Sequence, residues 1–296
     1  MRRRLKIAHS INHFLFNIFR FPGSRKIGRI FSKILLPPLN QLTQVPTLYN
    51  FDMWVNKNGG EEIYNLGFYE VGTLDVMNTI LQKEDVFIDV GASIGLMSLF
   101  ASKKCTNGKI LSFEPQKERY EIITKNAKLN SCENMTIFNN GLGEKEDQLL
   151  LHTDVFSPSI VDTENSKGTT ESIAILVLDK VLTSKSIEKV KLMKIDVEGF
   201  ELNVLKGAKK LLSSEDAPIL CVEYVKRLQS LNENNISIFE YISQINDYRI
   251  FQLEKSSNTI SKLEEIPKEN MLRDCDNMYC FTKKHISNLS SSKLFL

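Results

Sequence analysis

Three short stretches of this chain place acids and glycines where chemistry could be done. In the first, Val86-Phe87-Ile88-Asp89-Val90-Gly91-Ala92-Ser93-Ile94-Gly95-Leu96, an apolar run ends in an acid and a glycine-punctuated turn before a helix-forming stretch. Gly91 would let backbone approach a ligand closely, and Gly95 would let the next helix start tightly against a sheet. The N–H groups at such a helix start favour polar or anionic ligand atoms, a carboxylate among them. Asp89 suits a ligand that carries a cationic amino group beside that carboxylate, as a methionine-like tail does. In the second stretch, Ser112-Phe113-Glu114-Pro115, an acid again ends an apolar run. A carboxylate there can accept hydrogen bonds from both hydroxyls of a ribose. The third, Val190-Lys191-Leu192-Met193-Lys194-Ile195-Asp196-Val197-Glu198-Gly199-Phe200-Glu201, repeats the pattern of strand, acids, glycine and helix. Ligands of doubly wound sheets sit at the carboxyl ends of the strands, so Asp196 and Glu198 would face the crevice of Asp89 and Glu114. Glu201, and Glu198 with it, can also be read as acids that favour a helix N-terminus.

Three chemistries compete for these stretches. A dinucleotide site would put its first glycine directly after the strand, whereas Asp89 stands there. A serine hydrolase is spelled by Gly91-Ala92-Ser93-Ile94-Gly95, with Asp196 and His285 following in the order of an α/β-hydrolase triad. Against it, little before Val86 reads as sheet, no oxyanion segment precedes the serine, and Glu114-Pro115 has no task. Methyl transfer uses all three stretches. It needs no metal, and no convincing ligand cluster for one stands out.

The elements that must position these residues alternate along the body. Apolar, β-branched runs predict strands over Val86–Val90, Lys109–Phe113, Met135–Phe138, Lys191–Ile195, Ile219–Glu223, Arg249–Leu253 and Met278–Phe281. Helices are expected over Leu96–Lys103, Lys117–Asn130, Glu201–Leu212 and Ile236–Asn246. Leu149–His152 and Ile173–Leu178 would pair as an extra hairpin around a polar loop, Ser157–Thr170, which with Tyr224–Asn235 would shape an acceptor pocket. Such alternation marks a largely parallel sheet with helices on both faces.

Charge is unevenly spread. Nine of the 38 basic residues and none of the 36 acids fall in residues 1–50, which leaves 29 basic against 36 acidic in the remainder. A mildly acidic body is no nucleic-acid binder. Leu5, Ala8, Ile11, Leu15, Ile18 and Phe19 recur at helical spacing among basic and polar residues, and no run reaches the roughly 18 apolar residues of a membrane span. Over residues 4–33 such a basic amphipathic helix suits an anionic membrane surface, packing on the domain or a partner, or an organellar presequence. Pro37-Pro38 and Pro46 mark an irregular connector. Five scattered cysteines without a CxxC pair read as free thiols of a reducing, cytoplasmic compartment, with peripheral contact at the inner face of a membrane.

Taken together, Asp89 to Gly95, Phe113-Glu114-Pro115, Lys194 to Glu201 and Val204-Leu205-Lys206-Gly207-Ala208 resemble the FkbM family of methyltransferases. Gly67-Phe68-Tyr69-Glu70 and Leu178-Asp179 are similar to the family's pattern as well, and Ser93 stands where the family often has asparagine. The resemblance implies a Rossmann-like class I methyltransferase fold: an α/β domain with a mostly parallel seven-stranded sheet over 51–285, a basic helical extension over 1–50 and a flexible tail over 286–296. It implies O-methylation of a hydroxyl on a sugar, glycan or related small molecule, with S-adenosyl-L-methionine as donor. Carried over by position, Glu70, Asp89, Gly91, Ala92, Ser93, Gly95, Glu114 and Pro115 would bind the cofactor, and Asn140 and Gly141 would sit near its adenine. Asp196 and Glu198 would be the catalytic pair, with His152 as an alternative base. The non-enzyme alternative is a Rossmann-like binding or scaffold module.

Overall fold

The computed structural model describes residues 1–15, 24–153, 169–229, 236–254 and 262–295. Its strands are β1 (Thr43–Pro46), β2 (Asp52–Val55), β3 (Val86–Val90), β4 (Lys109–Phe113), β5 (Met135–Phe138), β6 (Gly141–Leu142) and β7 (Asp147–His152), followed by β8 (Thr170–Leu176), β9 (Leu192–Ile195), β10 (Ile219–Tyr224), β11 (Arg249–Leu253), β12 (Leu263–Glu265) and β13 (Asp276–Phe281). The central sheet runs β12-β11-β13-β10-β9-β3-β4-β5. Pairing is parallel from β10 through β9, β3 and β4 to β5, and antiparallel where β13 enters between β10 and β11. Eight strands therefore replace the seven expected. The addition is β12, three residues antiparallel to β11 at the sheet edge, too short for its pattern to be read.

The inner parallel strands β3, β4, β9 and β10 are buried on both faces, and their alternation shows it. Phe87, Ile110, Leu192 and Ile219 belong to one core; their neighbours Ile88, Leu111, Met193 and Leu220 belong to the other. The first core is closed by helices Val71–Ile80, Leu96–Lys104 and Lys117–Leu129, through residues such as Met77, Leu99 and Ile122. The second is closed by Leu178–Ser184, Glu201–Gly207 and Ile238–Ile245, through Leu182, Leu205 and Ile242. Two fully buried layers are what a sheet covered on both sides requires.

The expected helix Glu201–Leu212 is broken after Gly207. A Cβ at that glycine would lie 2.0 Å from the Gly143 carbonyl oxygen, so backbone of the β6 region packs directly on the helix. The extra hairpin forms as β7 and β8, with β6 parallel to β8 on its other edge. Most of the loop expected over Ser157–Thr170, and Asn235 with its neighbours, lies outside the described residues.

The segment expected as an irregular connector instead holds β1, which pairs with β2 from Thr43 opposite Val55 to Pro46 opposite Asp52. A boundary at residue 50 would cut this hairpin. Leu5, Ala8, Leu36 and Val45 share the first core with Phe51 and Phe87, so the N-terminal helices Arg2–Phe14 and Ser24–Leu35 pack onto the domain. Nor do the last residues dangle. Helix Lys283–Leu289 is followed by Leu294, fully buried, whose carbonyl accepts the Leu263 N–H at 3.0 Å. Phe295 stacks edge-on to Phe251 and Phe281. Two apolar residues after the serines outweigh the polar composition that suggested a tail.

Candidate active site

The chain runs outward from β3 to β4 and β5, then returns to β9 on the other side of β3. Ligands of open α/β sheets bind at such a reversal, at the carboxyl ends of the strands. Here the two strand ends meet backbone to backbone: the Asp196 N–H donates to the Val90 carbonyl at 3.0 Å. Gly91 takes a left-handed φ of 80°, and a Cβ there would fall 1.8 Å from the Asp196 carbonyl oxygen. No side chain fits, which is why the turn needs glycine.

Ser93 is also left-handed, at φ 49°, and its N–H donates to Glu114 Oε2 at 2.7 Å. The Gln116 N–H donates to Oε1 at 2.9 Å. Each oxygen keeps a second lone-pair direction, so a fixed Glu114 still offers two acceptor positions, the number a ribose diol needs. Burial raises its carboxyl pKa, opposed by the charge of Arg119. Asp89 is 2% exposed and accepts from Ser98 Oγ, which in turn meets Ser112 Oγ at 2.7 Å. Burial pushes Asp89 up to about 6 against the pull of Lys194, so it is largely ionised at neutral pH.

The third stretch folds around a buried lysine. Lys194 Nζ donates to Asp196 Oδ2 at 2.6 Å and lies 3.9 Å from Glu70 Oε1. Burial opposes the ammonium, yet Asp196 and Glu70 hold its pKa well above the ordinary value. Burial would also raise Asp196, but the adjoining Lys194 overcomes it and keeps the carboxyl below its usual range. Glu70 enters with a φ of 45° at the start of helix Val71–Ile80, its pKa raised by burial and held back by Lys194.

Glu201 does more than favour a helix start. Its Oε1 accepts the N–H groups of Gly199 at 3.0 Å and Val197 at 3.2 Å. The loop between them doubles back, with Glu198 at φ 54° and Gly199 at φ 101°. Beside it, Glu223 stands next to last in β10, and one oxygen from each of Asp196, Glu198 and Glu223 lies within 4.8 Å of the others. Such a cluster can share a proton or a cation. Burial pushes Glu223 up to about 9, with the charges of Asp196 and Glu198 adding to the effect, so it carries a proton at neutral pH.

These groups surround a cavity of about 300 Å³. Asp89, Gly91, Ala92, Ser93 and Gly95 line it along the first turn, and Glu114, Pro115 and Gly141 along the next strand ends. Glu70, Asp196 and Glu198 close it. Asn140 does not line it: its Nδ2 donates to the Ala174 carbonyl at 3.4 Å, tying it to β8. Leu151 reaches the cavity while its neighbour His152 does not, because successive strand residues face opposite ways. His285 caps its own helix through Thr282, and β13 runs antiparallel, so it stands at the sheet end opposite Ser93. That separation removes the hydrolase triad. A second cavity, about 380 Å³, shares Glu62, Tyr69, Glu70 and Asp196 with the first and extends past Glu223 to Asn277 and Arg29.

Sequence reasoning missed Lys194 and Glu223 as site residues. Both carried a signal: a lysine inside an apolar strand two residues before Asp196, and an acid at the end of the next parallel strand. The cavity fits a nucleoside donor with a cationic centre, having carboxylates at the ends of β3 and β4, a glycine cradle a Cβ would fill, and an excess of acids over cations.

The doubly wound sheet with these acids is that of a class I S-adenosylmethionine-dependent methyltransferase domain. The family model for the methyltransferase FkbM domain matches residues 89–250, more than half of the chain, and the chain belongs to that family. It is similar to methyltransferase sdnD of Sordaria araneosa, 27% identical over 165 residues, covering 45% of this chain and 63% of that protein. It is similar also to the hexuronic acid methyltransferase AglP of Haloferax volcanii, 28% identical over 148 residues, covering 48% of this chain and 59% of that protein. The chain thus spans about six-tenths of the length of these relatives. Among solved structures, a SAM-dependent O-methyltransferase of Thermotoga maritima aligns with a TM-score of 0.38 at 12% identity, over 84% of this chain and 80% of that one. An rRNA methylase of Streptococcus thermophilus aligns at 0.40 and 13%, over 70% of this chain and 91% of that one.

Proposed function

We propose that this chain methylates a hydroxyl on a sugar, glycan or related small molecule, with S-adenosyl-L-methionine as donor. The observation that carries the reading is the seam at Asp196: one cavity with the acids a nucleoside donor needs adjoins a second, and Asp196 lines both. S-adenosylmethionine supplies a methyl group on a positively charged sulfur, already activated toward an oxygen. What remains for the protein is alignment and a proton acceptor. Fixing donor and acceptor in line is worth up to roughly 7–11 kcal/mol in the best intramolecular cases.

In this reading Asp89 takes the amino group of the donor, Glu114 its ribose, and the first cavity its adenine near Gly141. Asp196, kept ionised by Lys194, or Glu198 accepts the acceptor's hydroxyl proton. Protonated Glu223 donates a hydrogen bond that orients the acceptor. The second cavity receives the acceptor, with Asn277 and Arg29 among its walls. The activity of AglP on a hexuronic acid makes uronic acids and neutral hexoses the first acceptors to test.

Calorimetry of S-adenosylmethionine and S-adenosylhomocysteine tests the donor site on wild type, Asp89→Ala, Glu114→Ala and Ser93→Ala. Micromolar binding that disappears in the two acid variants and survives Ser93→Ala is expected. A folded wild-type protein that binds neither compound would overturn the reading. With an acceptor in hand, full turnover in both Asp196→Asn and Glu198→Gln would remove those acids from the chemistry.

A further inference from the structure

The two N-terminal helices are held with a defined outer face. On Arg2–Phe14, Leu5 and Ala8 are buried, His9 Nε2 lies 2.9 Å from the Tyr64 carbonyl, and Asn12 donates to Ser32 Oγ at 3.0 Å and the Asn65 carbonyl at 2.9 Å. On Ser24–Leu35, Gly28 packs so closely that a Cβ would meet Asn12 Oδ1 at 2.3 Å, and Ser32 is buried. The opposite faces are apolar and open to water. Ile30 is 52% and Ile34 74% exposed, with Ile7 and Phe31 close behind. Six of the 11 large hydrophobic residues so exposed among the described residues fall within the first 34 of the 296 positions.

The outer side of each helix is also basic. Lys26 and Lys33 are exposed beside Ile30 and Ile34 on successive turns, Arg3, Arg4 and Lys6 flank Ile7, and residues 1–50 contain no acid. Apolar residues ringed by lysine and arginine are the signature of a helix lying in a lipid interface. Charge decides the occupant: an anionic headgroup layer complements this face, whereas a second copy of it would meet like charge. No helix among the described residues is long and apolar enough to cross a membrane, so contact would be at the surface. We propose that Ile7, Ile30, Phe31 and Ile34 dock the chain on an anionic membrane surface. Arg29, on the same helix, lines the second cavity, so docking brings that cavity beside the lipid. The proposal stands whether or not the chain transfers methyl groups.

Flotation of the full chain with phosphatidylcholine vesicles, with and without phosphatidylglycerol, tests it. Wild type is expected to float with the anionic vesicles and to be released by salt. Ile30→Glu with Ile34→Glu should weaken partition on the order of a hundredfold, as loss of two buried isoleucines predicts. Lys26→Gln with Lys33→Gln, a milder change that keeps the apolar residues, should remove the preference for phosphatidylglycerol. Circular dichroism and S-adenosylmethionine binding, neither of which depends on this face, should be unchanged in both. A folded wild type that ignores anionic vesicles, or variants that float equally well, would overturn the proposal. So would light scattering that shows a dimer dissociated by the isoleucine changes with no vesicle binding, since the face would then belong to a second copy.

Discussion

Lys194 and Asp196 stand two residues apart at the end of β9, on one face of the strand, with Nζ and Oδ2 2.6 Å apart and the lysine side chain only 5% exposed. An ion pair this deep exists because each partner makes the other's burial tolerable. Removing one leaves the other uncompensated.

Lys194→Met should therefore destabilise the fold by about 3–5 kcal/mol, the usual result of breaking a buried pair from one side. Glu70, 3.9 Å from the same ammonium, loses its cation as well and would take up a proton. Urea unfolding of wild type and variant measures the loss. A difference under about 1 kcal/mol, the scale of a surface pair, would mean that water reaches the site freely.

Gly91→Ala should abolish donor binding. Its φ of 80° disfavours any side chain, and the new Cβ would press on the Asp196 carbonyl oxygen from 1.8 Å. Backbone cannot swing aside as a side chain can, so β3 and β9 must part at the cavity floor. Calorimetry with S-adenosylmethionine reads the effect; wild-type affinity in the variant would show that the contact is looser than the geometry requires.

Leu294→Ala should cost about 2–4 kcal/mol, the range for truncating a buried leucine, despite its place in a serine-rich terminus. Thermal denaturation distinguishes this from the negligible change expected of a disordered tail.

The terminus shows where sequence reasoning stops. Phe87 and Ile88, or Leu192 and Met193, announce a doubly buried strand by composition alone, and an acid at the end of such a strand announces a crevice. These features are local, and the strands and the acids and glycines at their ends followed from them, whereas the cavity wall over residues 57–63 did not. Leu294 finds its burial beside Leu263 of the three-residue β12, a contact between residues distant in sequence. The resemblance puts Asn140 with Gly141 near the adenine, yet its amide is spent on Ala174 of a different strand. The break at Gly207 depends on the Gly143 carbonyl that lands against it. Long-range contacts of this kind leave no periodicity to read.

Glu201 supplies a prediction in which pH separates charge from geometry. Burial pushes its carboxyl from 4.5 up to about 7, although it accepts backbone N–H groups, those of Val197 and Gly199 among them. The folded chain thus holds this proton more tightly than the unfolded one. Its contribution to stability is full below about pH 4.5 and is lost as pH rises through about 7. Both N–H groups reach the same oxygen, Oε1, so the single carbonyl oxygen of Glu201→Gln can accept both and keep the loop that carries Glu198. The variant should bind donor as wild type does. Its stability relative to wild type should rise between pH 4.5 and 7 by up to about 3 kcal/mol, the equivalent of the raised pKa. Asp89 titrates in both proteins and drops out of the difference. Urea unfolding across this pH range gives the curve directly. A stability difference that does not change with pH would mean that Glu201 titrates as an ordinary carboxyl, and loss of donor binding would mean that its charge, beyond its hydrogen bonds, shapes the loop.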